Sequence, residues 1–234
     1  MSRNILITGC SSGIGESVAL GLQQRGYRVF ATARKDDDIQ CLREQGLTAL
    51  HLDYDDSISI QDAFEEMMLR TGGKIYALFN NGAYGQPGAV EDLSREVLRA
   101  QLETNLLGWH ELTRMVIPVM RMHGEGRIIQ NSSILGFITM PYRGAYNCSK
   151  FALEGLTDTL RLELHGSGIH ISLIEPGPIA SKFRDNAYRK FKQNIDAENS
   201  KHRAQYQAME ARLLIKGPAV PFTLPPEAVL KKVI

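Results

Sequence analysis

Short apolar or β-branched runs alternate along the chain with longer stretches whose apolar residues recur every three or four positions. The runs fall at 4–8, 28–33, 48–52, 77–80, 127–132 and 170–175. A strand covered on both faces reads as such a continuous run, so these predict six strands of a parallel sheet. Helical period fills the intervals at 14–25, 37–45, 57–70, 95–122 and 142–165. Gly26, Gly46, Gly72, Gly73, Gly124 and Gly166 stand just past these segments, where a left-handed residue commonly closes a helix. Strand and helix in strict alternation predict an α/β fold: a doubly wound sheet with helices on both faces.

The alternation stops after Pro176. Residues 182–217 are long, charged and helical in period, with Phe183, Tyr188, Phe191, Tyr206 and Met209 set among polar residues. A departure of that length inside a compact domain predicts a functional insertion, read here as a mobile helical cover over a substrate site. A further helix starts at Pro225, Pro226 and Glu227, with prolines suited to its first turn. No C-terminal stop signal precedes Ile234, and the expectation is that another helix and a seventh strand are missing. Residues 1–234 are read as one domain, with no internal repeat.

Composition narrows the function. A chain of 234 residues that is 43% hydrophobic can bury its own core. Lys and Arg number 27 against 26 Asp and Glu, for a net charge of +1, so no basic field draws nucleic acid. Cys10, Cys41 and Cys148 are odd in number and form no CxxC pair, which speaks against a disulfide framework and for a reducing compartment. No secretion signal is written at the start, and 18 apolar residues never run together. A soluble, cytoplasmic protein without integral membrane association is expected. The six histidines show no metal-binding spacing, so no metal is expected.

The first strand runs directly into Thr8-Gly9-Cys10-Ser11-Ser12-Gly13-Ile14-Gly15, and a helix follows at once. That context fits a dinucleotide turn: Gly9 for the tight bend, Gly13 for approach of backbone to pyrophosphate, Gly15 for close helix packing. Unpaired N–H groups at the helix start receive the anion. The second strand ends Ala33-Arg34-Lys35, with no acid to hold ribose hydroxyls but a guanidinium suited to a 2′-phosphate. NADP is therefore expected over NAD, although Asp36, Asp37 and Asp38 follow closely; these acids suit the start of the next helix.

Tyr146 and Lys150 are four apart in a helical segment and share a face. Tyr188 and Lys192 repeat that spacing, so spacing alone says little. The first pair differs in having Ser133 thirteen residues before it at the carboxyl end of a strand, where the second has Glu175. Segments 9–15, 80–83, 132–136 and 176–181 all fall at strand carboxyl ends, where open α/β sheets bind ligands. In this order, and beside Asn105, they resemble the short-chain dehydrogenase/reductase family in its small single-domain branch, over residues 4–181.

The resemblance implies a Rossmann-like strand order of 3-2-1-4-5-6 and roles for particular residues. Tyr146 would be the general acid/base, Lys150 would lower its pKa and bind the nicotinamide ribose, and Ser133 would hold the substrate oxygen. Asn105 would maintain a proton-relay water. Asp53 would meet the adenine, Asn81 would line the adenosine side, and Pro176, Gly177 and Ile179 would seat the nicotinamide amide. Ser181 stands where the family has threonine and keeps a hydroxyl. The family's Asn-Asn-Ala-Gly is here Asn80-Asn81-Gly82-Ala83, an exchange that puts a cofactor contact in question. A homodimer or homotetramer is also implied, paired through helices near 106–120 and 151–164.

Chemistry without the family name agrees. A phenol is a poor base at neutral pH until nearby positive charge lowers its pKa, and Lys150 is the obvious source. Candidate walls Ile134, Leu135, Phe137, Met140, Tyr142, Tyr84, Phe183 and Phe191 are mostly apolar, and no Arg cluster is evident for a carboxylate or phosphate. The expected activity is NADPH-dependent reduction of an apolar aldehyde or ketone, or oxidation of the alcohol. Residues 146–155 are similar in wording to hydroxysteroid and retinol dehydrogenases. The alternatives are a non-catalytic NADP-binding redox sensor and a nucleotide-sugar epimerase, the latter opposed by the glycine spacing and the short chain.

Overall fold

A computed structural model describes residues 3–215, 217–218 and 220–234. Its sheet has six parallel strands: β1 (Asn4–Ile7), β2 (Arg28–Ala33), β3 (Thr48–His51), β4 (Ala77–Asn80), β5 (Gly126–Asn131) and β6 (Ile169–Ile174). Their order is β3-β2-β1-β4-β5-β6, as the resemblance implied. Ile5 is in register with Val29 on one side and Ala77 on the other. The direction of winding reverses between β1 and β4, which opens a crevice at their carboxyl ends.

Side chains along each strand alternate between two cores, as a pleated backbone requires. Leu6, Phe30, Leu78 and Ile128 enter one, with Trp109, Leu112, Val116 and Met120. Ile5, Ile7, Val29, Ala31 and Phe79 enter the other, with Val18, Ala19 and Val229. The helices covering these faces are α1 (Gly13–Gln23), α2 (Asp36–Glu44), α3 (Ser57–Thr71), α4 (Arg95–Leu102), α5 (Gly108–His123) and α6 (Gly144–Glu163).

The continuous helix expected over 95–122 is two. A π turn at Glu103–Leu107 separates α4 from α5 and carries Asn105. One inserted residue barely disturbs an apolar repeat, so periodicity cannot reveal it. The helix expected from Tyr142 begins two residues later, because Tyr142 has a left-handed backbone, φ 61°. Its carbonyl accepts the Gly88 N–H at 3.1 Å, and its ring meets those of His202 and Tyr206 edge-on.

The insertion contains α7 (Phe183–Asn194) and α8 (Arg203–Leu213), and α9 (Glu227–Val233) follows it. Lys216, within the range expected for the insertion, lies outside the described residues. The insertion has its own core of Ala187, Phe191, Ile195, Tyr206, Met209 and Leu213, closed by Ala89. The Tyr206 hydroxyl accepts the Ala89 N–H at 2.8 Å and donates to Asp92, which also accepts from Ser200 at 2.6 Å. His202 Nε2 meets Glu91 Oε1 at 2.6 Å.

Candidate active site

A cleft of about 1180 Å³ lies beyond the strand carboxyl ends, larger than the roughly 300–1,000 Å³ of a drug-sized site. Gly9, Ser11, Ser12 and Ile14 line one end. Gly9 has φ 65°, and a Cβ on Gly15 would stand 2.3 Å from the Gly9 carbonyl oxygen, so both glycines are demanded by the bend. Ser12 starts α1 without a side-chain cap, leaving the first amides of the helix for an anion. Gly13 faces Ser181, 3.0 Å from where its Cβ would be. These features fit a dinucleotide pyrophosphate.

Arg34 and Asp53 stand at the ends of β2 and β3, and both line the cleft. Their closest approach is 3.9 Å with Arg34 largely exposed, a pair of little strength that leaves the guanidinium available. Pro176, Gly177 and Ile179 line the cleft. Asn81 lines it too, but its side chain braces the glycine turn: Nδ2 donates to the Thr8 and Gly9 carbonyls at 3.0 and 3.2 Å. Asn131 Nδ2 donates in turn to Asn81 Oδ1 at 2.8 Å.

The exchanged Gly82-Ala83 has a packing reason. Gly82 lies against Gly9 and Tyr54, where a Cβ would come within 3.3 Å of Tyr54 Cε2. Its carbonyl accepts the Trp109 indole N–H at 2.8 Å. Trp109 is fully buried, and the close neighbour of Gly82 is Gly9, whose own Cβ would stand 2.5 Å from the Gly82 Cα.

Ser133, Tyr146 and Lys150 all line the cleft, with Lys150 Nζ 5.7 Å from the centre of the Tyr146 ring. Ser133 follows β5 and turns back on itself, its Oγ accepting the Leu135 N–H at 3.1 Å. Tyr146 and Lys150 lie one turn apart on α6, 8% and 1% exposed. Burial pushes the phenol up to about 12, with the Ser133 hydroxyl pulling the other way. Burial brings the Lys150 ammonium down to about 7, opposed by the charge of Glu154. Lys150 Nζ donates to the Asn131 carbonyl at 2.9 Å and sits 4.2 Å over the Trp109 ring. The Tyr188 and Lys192 pair has no such setting: Lys192 pairs with Glu210 at 3.1 Å outside the cleft lining.

Asn105 is fully buried behind the cleft. Its Oδ1 accepts the Tyr84 N–H at 3.2 Å, while Nδ2 donates to the Tyr84 carbonyl at 2.9 Å and to Ser149 at 3.2 Å. The side chain therefore pins the Tyr84 segment to α6.

Of the expected walls, Ile134, Leu135, Met140, Tyr84 and Phe183 line the cleft. Phe183 lies edge-on to Tyr146, ring centroids 5.4 Å apart. Phe137 is instead exposed, and Tyr142 and Phe191 turn into the insertion's core. The expectation of no cationic cluster is also corrected: Lys182, Arg184, Arg189 and Lys190 all line the cleft. The four fall within nine residues, in α7 or just before it. Trp109 and Asn131 were not singled out as site residues either. Asn131 carried a signal, since it adjoins Ser132 and Ser133 on the same strand end.

A parallel sheet with a glycine turn at its switch point and a Ser, Tyr and Lys group beyond it is the architecture of a dinucleotide-dependent oxidoreductase. Residues 3–192 match the family model described as short chain dehydrogenase, and the chain belongs to that family. It is 42% identical over 233 residues to the uncharacterized oxidoreductase YbbO of Escherichia coli, covering 100% of this chain and 80% of that protein. It is 34% identical over 204 residues to human 17-beta-hydroxysteroid dehydrogenase type 1, covering 79% of this chain and 60% of that one. The structure is similar to that of a variant of actinorhodin polyketide ketoreductase with NADPH, at TM-score 0.80 and 28% identity, over 99% of this chain and 88% of the other. Among the described residues no helix is long and apolar enough to cross a membrane.

Proposed function

We propose that the protein is an NADPH-dependent reductase of an apolar aldehyde or ketone, with Tyr146 as the proton donor. The presence of Ser133, Tyr146 and Lys150 in the lining of one cleft supports this reading. Bound NADPH would supply the hydride. Gly9, Ser11, Ser12, Gly13, Ile14 and Gly15 would hold its pyrophosphate, Arg34 its 2′-phosphate, and Pro176 to Ser181 the nicotinamide end. The ketoreductase to which the chain is similar holds NADPH, which supports the choice of dinucleotide.

A phenol pushed up to about 12 holds its proton at neutral pH and so stands in the donor form. Burial outweighs the lowering expected from Lys150, and giving the proton up would need positive charge beside the phenol to bring that value down. Ser133 would donate to the substrate oxygen as negative charge grows there, and Lys150 would stabilise the phenolate left behind. Asn105 would serve a proton relay through the backbone of its π turn, since its side chain is committed to Tyr84 and Ser149. Ile134, Leu135 and Met140 would keep water from the carbonyl. Gly82 packs against the Gly9 turn, and no observation favours the silent sensor.

Pairing of copies through α5 and α6 belongs to the same proposal, since Leu107, Met122, Phe151 and Leu162 are exposed there. The test is NADPH consumption with a panel of apolar carbonyls, wild type against Tyr146→Phe. The hydroxyl's loss should lower turnover by about 10²–10⁴ while NADPH affinity stays within a few-fold. Unchanged turnover in the variant defeats the assignment.

A further inference from the structure

Lys182, Arg184, Arg189 and Lys190 bring four positive charges to the cleft from the first nine residues of the insertion. Among the described residues none has a carboxylate oxygen within 4.0 Å, whereas Lys192 and Arg203, which do not line the cleft, are paired with Glu210 and Glu198. Asp185, the one acid of α7, pairs with none of them. Arg184 donates through Nη2 to the Gly217 carbonyl, but its Nη1 is buried without a hydrogen-bond partner among the described residues. A buried guanidinium N–H left unpaired is costly, and an anion arriving in the cleft would remove that cost.

The cofactor's own anions already have receivers across the cleft, in the uncapped amides of α1 and in Arg34. Lys182 adjoins Ser181, which packs on Gly13, and so belongs to that end. Arg184, Arg189 and Lys190 follow Phe183, the residue in contact with Tyr146. At 1.5 Å rise per residue, Arg189 lies about 9 Å along α7 from Phe183. Leu214 and Ile215 add apolar lining to the same cleft.

We propose that Arg184 and Arg189, with Lys190, bind a carboxylate or phosphate at the far end of the substrate, whose carbonyl lies at Tyr146. The substrate class is then an apolar chain or ring system with a carbonyl at one end and an anion at the other. This rests on the reductase reading for the position of the carbonyl, while the anion site rests on the cations themselves.

A matched pair of probes differing only in charge tests it: an ω-oxo medium-chain fatty acid and its methyl ester, each reduced with NADPH. Wild type should favour the acid by about tenfold or more in KM, the scale of a charged hydrogen bond. Arg184→Gln combined with Arg189→Gln should abolish the preference, leaving the ester's KM and the NADPH affinity unchanged, and Arg184→Lys with Arg189→Lys should restore part of it. Equal handling of acid and ester by wild type overturns the proposal. So does a double variant that weakens NADPH binding and leaves the acid's KM alone, which would make the cofactor's phosphates the occupant. Calorimetric titration of both probes into the NADP⁺ complex separates this from catalysis. Charge-selective binding without turnover sustains the anion site and defeats the reductase; binding that ignores the charge, or no binding, defeats the anion site.

Discussion

Lys150 carries its ammonium 4.2 Å above the centre of the Trp109 ring, and a backbone carbonyl, that of Asn131, is its one hydrogen-bond acceptor among the described residues. The indole face takes a place that a carboxylate commonly fills for a buried cation. A cation over a desolvated tryptophan is stabilised by about 2 kcal/mol, enough to decide how much ammonium survives near neutrality.

Replacing Trp109 by Leu should therefore lower the ammonium's pKa further and move the activity optimum toward acid, with kcat falling by about tenfold at neutral pH. Trp109→Phe, which keeps a ring but loses the N–H to Gly82, should retain most of the pH profile while weakening NADPH binding. Steady-state pH profiles of the two variants separate the two contributions. An unmoved optimum in the Leu variant would exclude the ring from tuning Lys150.

Stability should respond to the same lysine. Its folded pKa, about 7, lies below the unfolded value of 10.5, so between these pH values the unfolded chain binds more protons. Stability contributed by Lys150 then rises with pH through that window. Thermal unfolding of the cofactor-free protein should occur at higher temperature at pH 9 than at pH 7, and Lys150→Met should flatten the difference. Cys10, pushed by burial from 9.0 up to about 12, begins to oppose the trend near pH 9, and Tyr146, pushed from 10.0 up to about 12, does so above pH 10, so the rise is read up to pH 9 and no further.

Two glycines in the cofactor region should behave differently. A methyl on Gly15 meets the Gly9 carbonyl oxygen at 2.3 Å, backbone that cannot withdraw cheaply. Gly15→Ala should cost about 1–3 kcal/mol in unfolding and abolish measurable NADPH binding. At Gly82 the nearest atom is 3.3 Å away on the Tyr54 ring, so Gly82→Ala should change stability by less than about 1.5 kcal/mol. Denaturant unfolding and fluorescence titration read both.

Tyr206→Phe removes a hydroxyl that links Ala89 and Asp92 to the insertion. The Ala89 N–H is left buried without its partner, at a cost of about 1–3 kcal/mol. Hydrogen exchange should accelerate in α7 and α8 while the strands of the sheet keep their protection. Uniform acceleration across the sheet would show instead that the insertion and the sheet unfold together.

The parts legible in the sequence were those whose chemistry is local. Ile5 to Ile7 and Leu78 to Phe79 announce buried strands by composition, and Gly9, Gly13 and Gly15 announce a turn that nothing larger permits. Tyr146 and Lys150 share a helix face by spacing, and Ser133 follows from its strand end. What escaped depends on contacts between distant segments. Trp109 carries no local signal of its place under Lys150, which only the packing of α5 against α6 creates. The π turn at Asn105 leaves the apolar repeat nearly intact, and the inward side of α7 is defined only once Ala187 and Phe191 are seen to pack away from the cleft. Tyr142 gave no warning of its left-handed backbone, since its partners His202 and Tyr206 lie some sixty residues on.

The insertion's separate core, closed on the rest of the molecule by Ala89 and a few hydrogen bonds to Glu91 and Asp92, divides labour within the protein. The proposed proton transfer is built on the sheet and α6, whereas the roof proposed to sort substrates has an interior of its own. Grafting a different roof between Ser181 and Leu224, the points where it leaves and rejoins the sheet domain, should therefore yield enzymes with new appetites and the same chemistry.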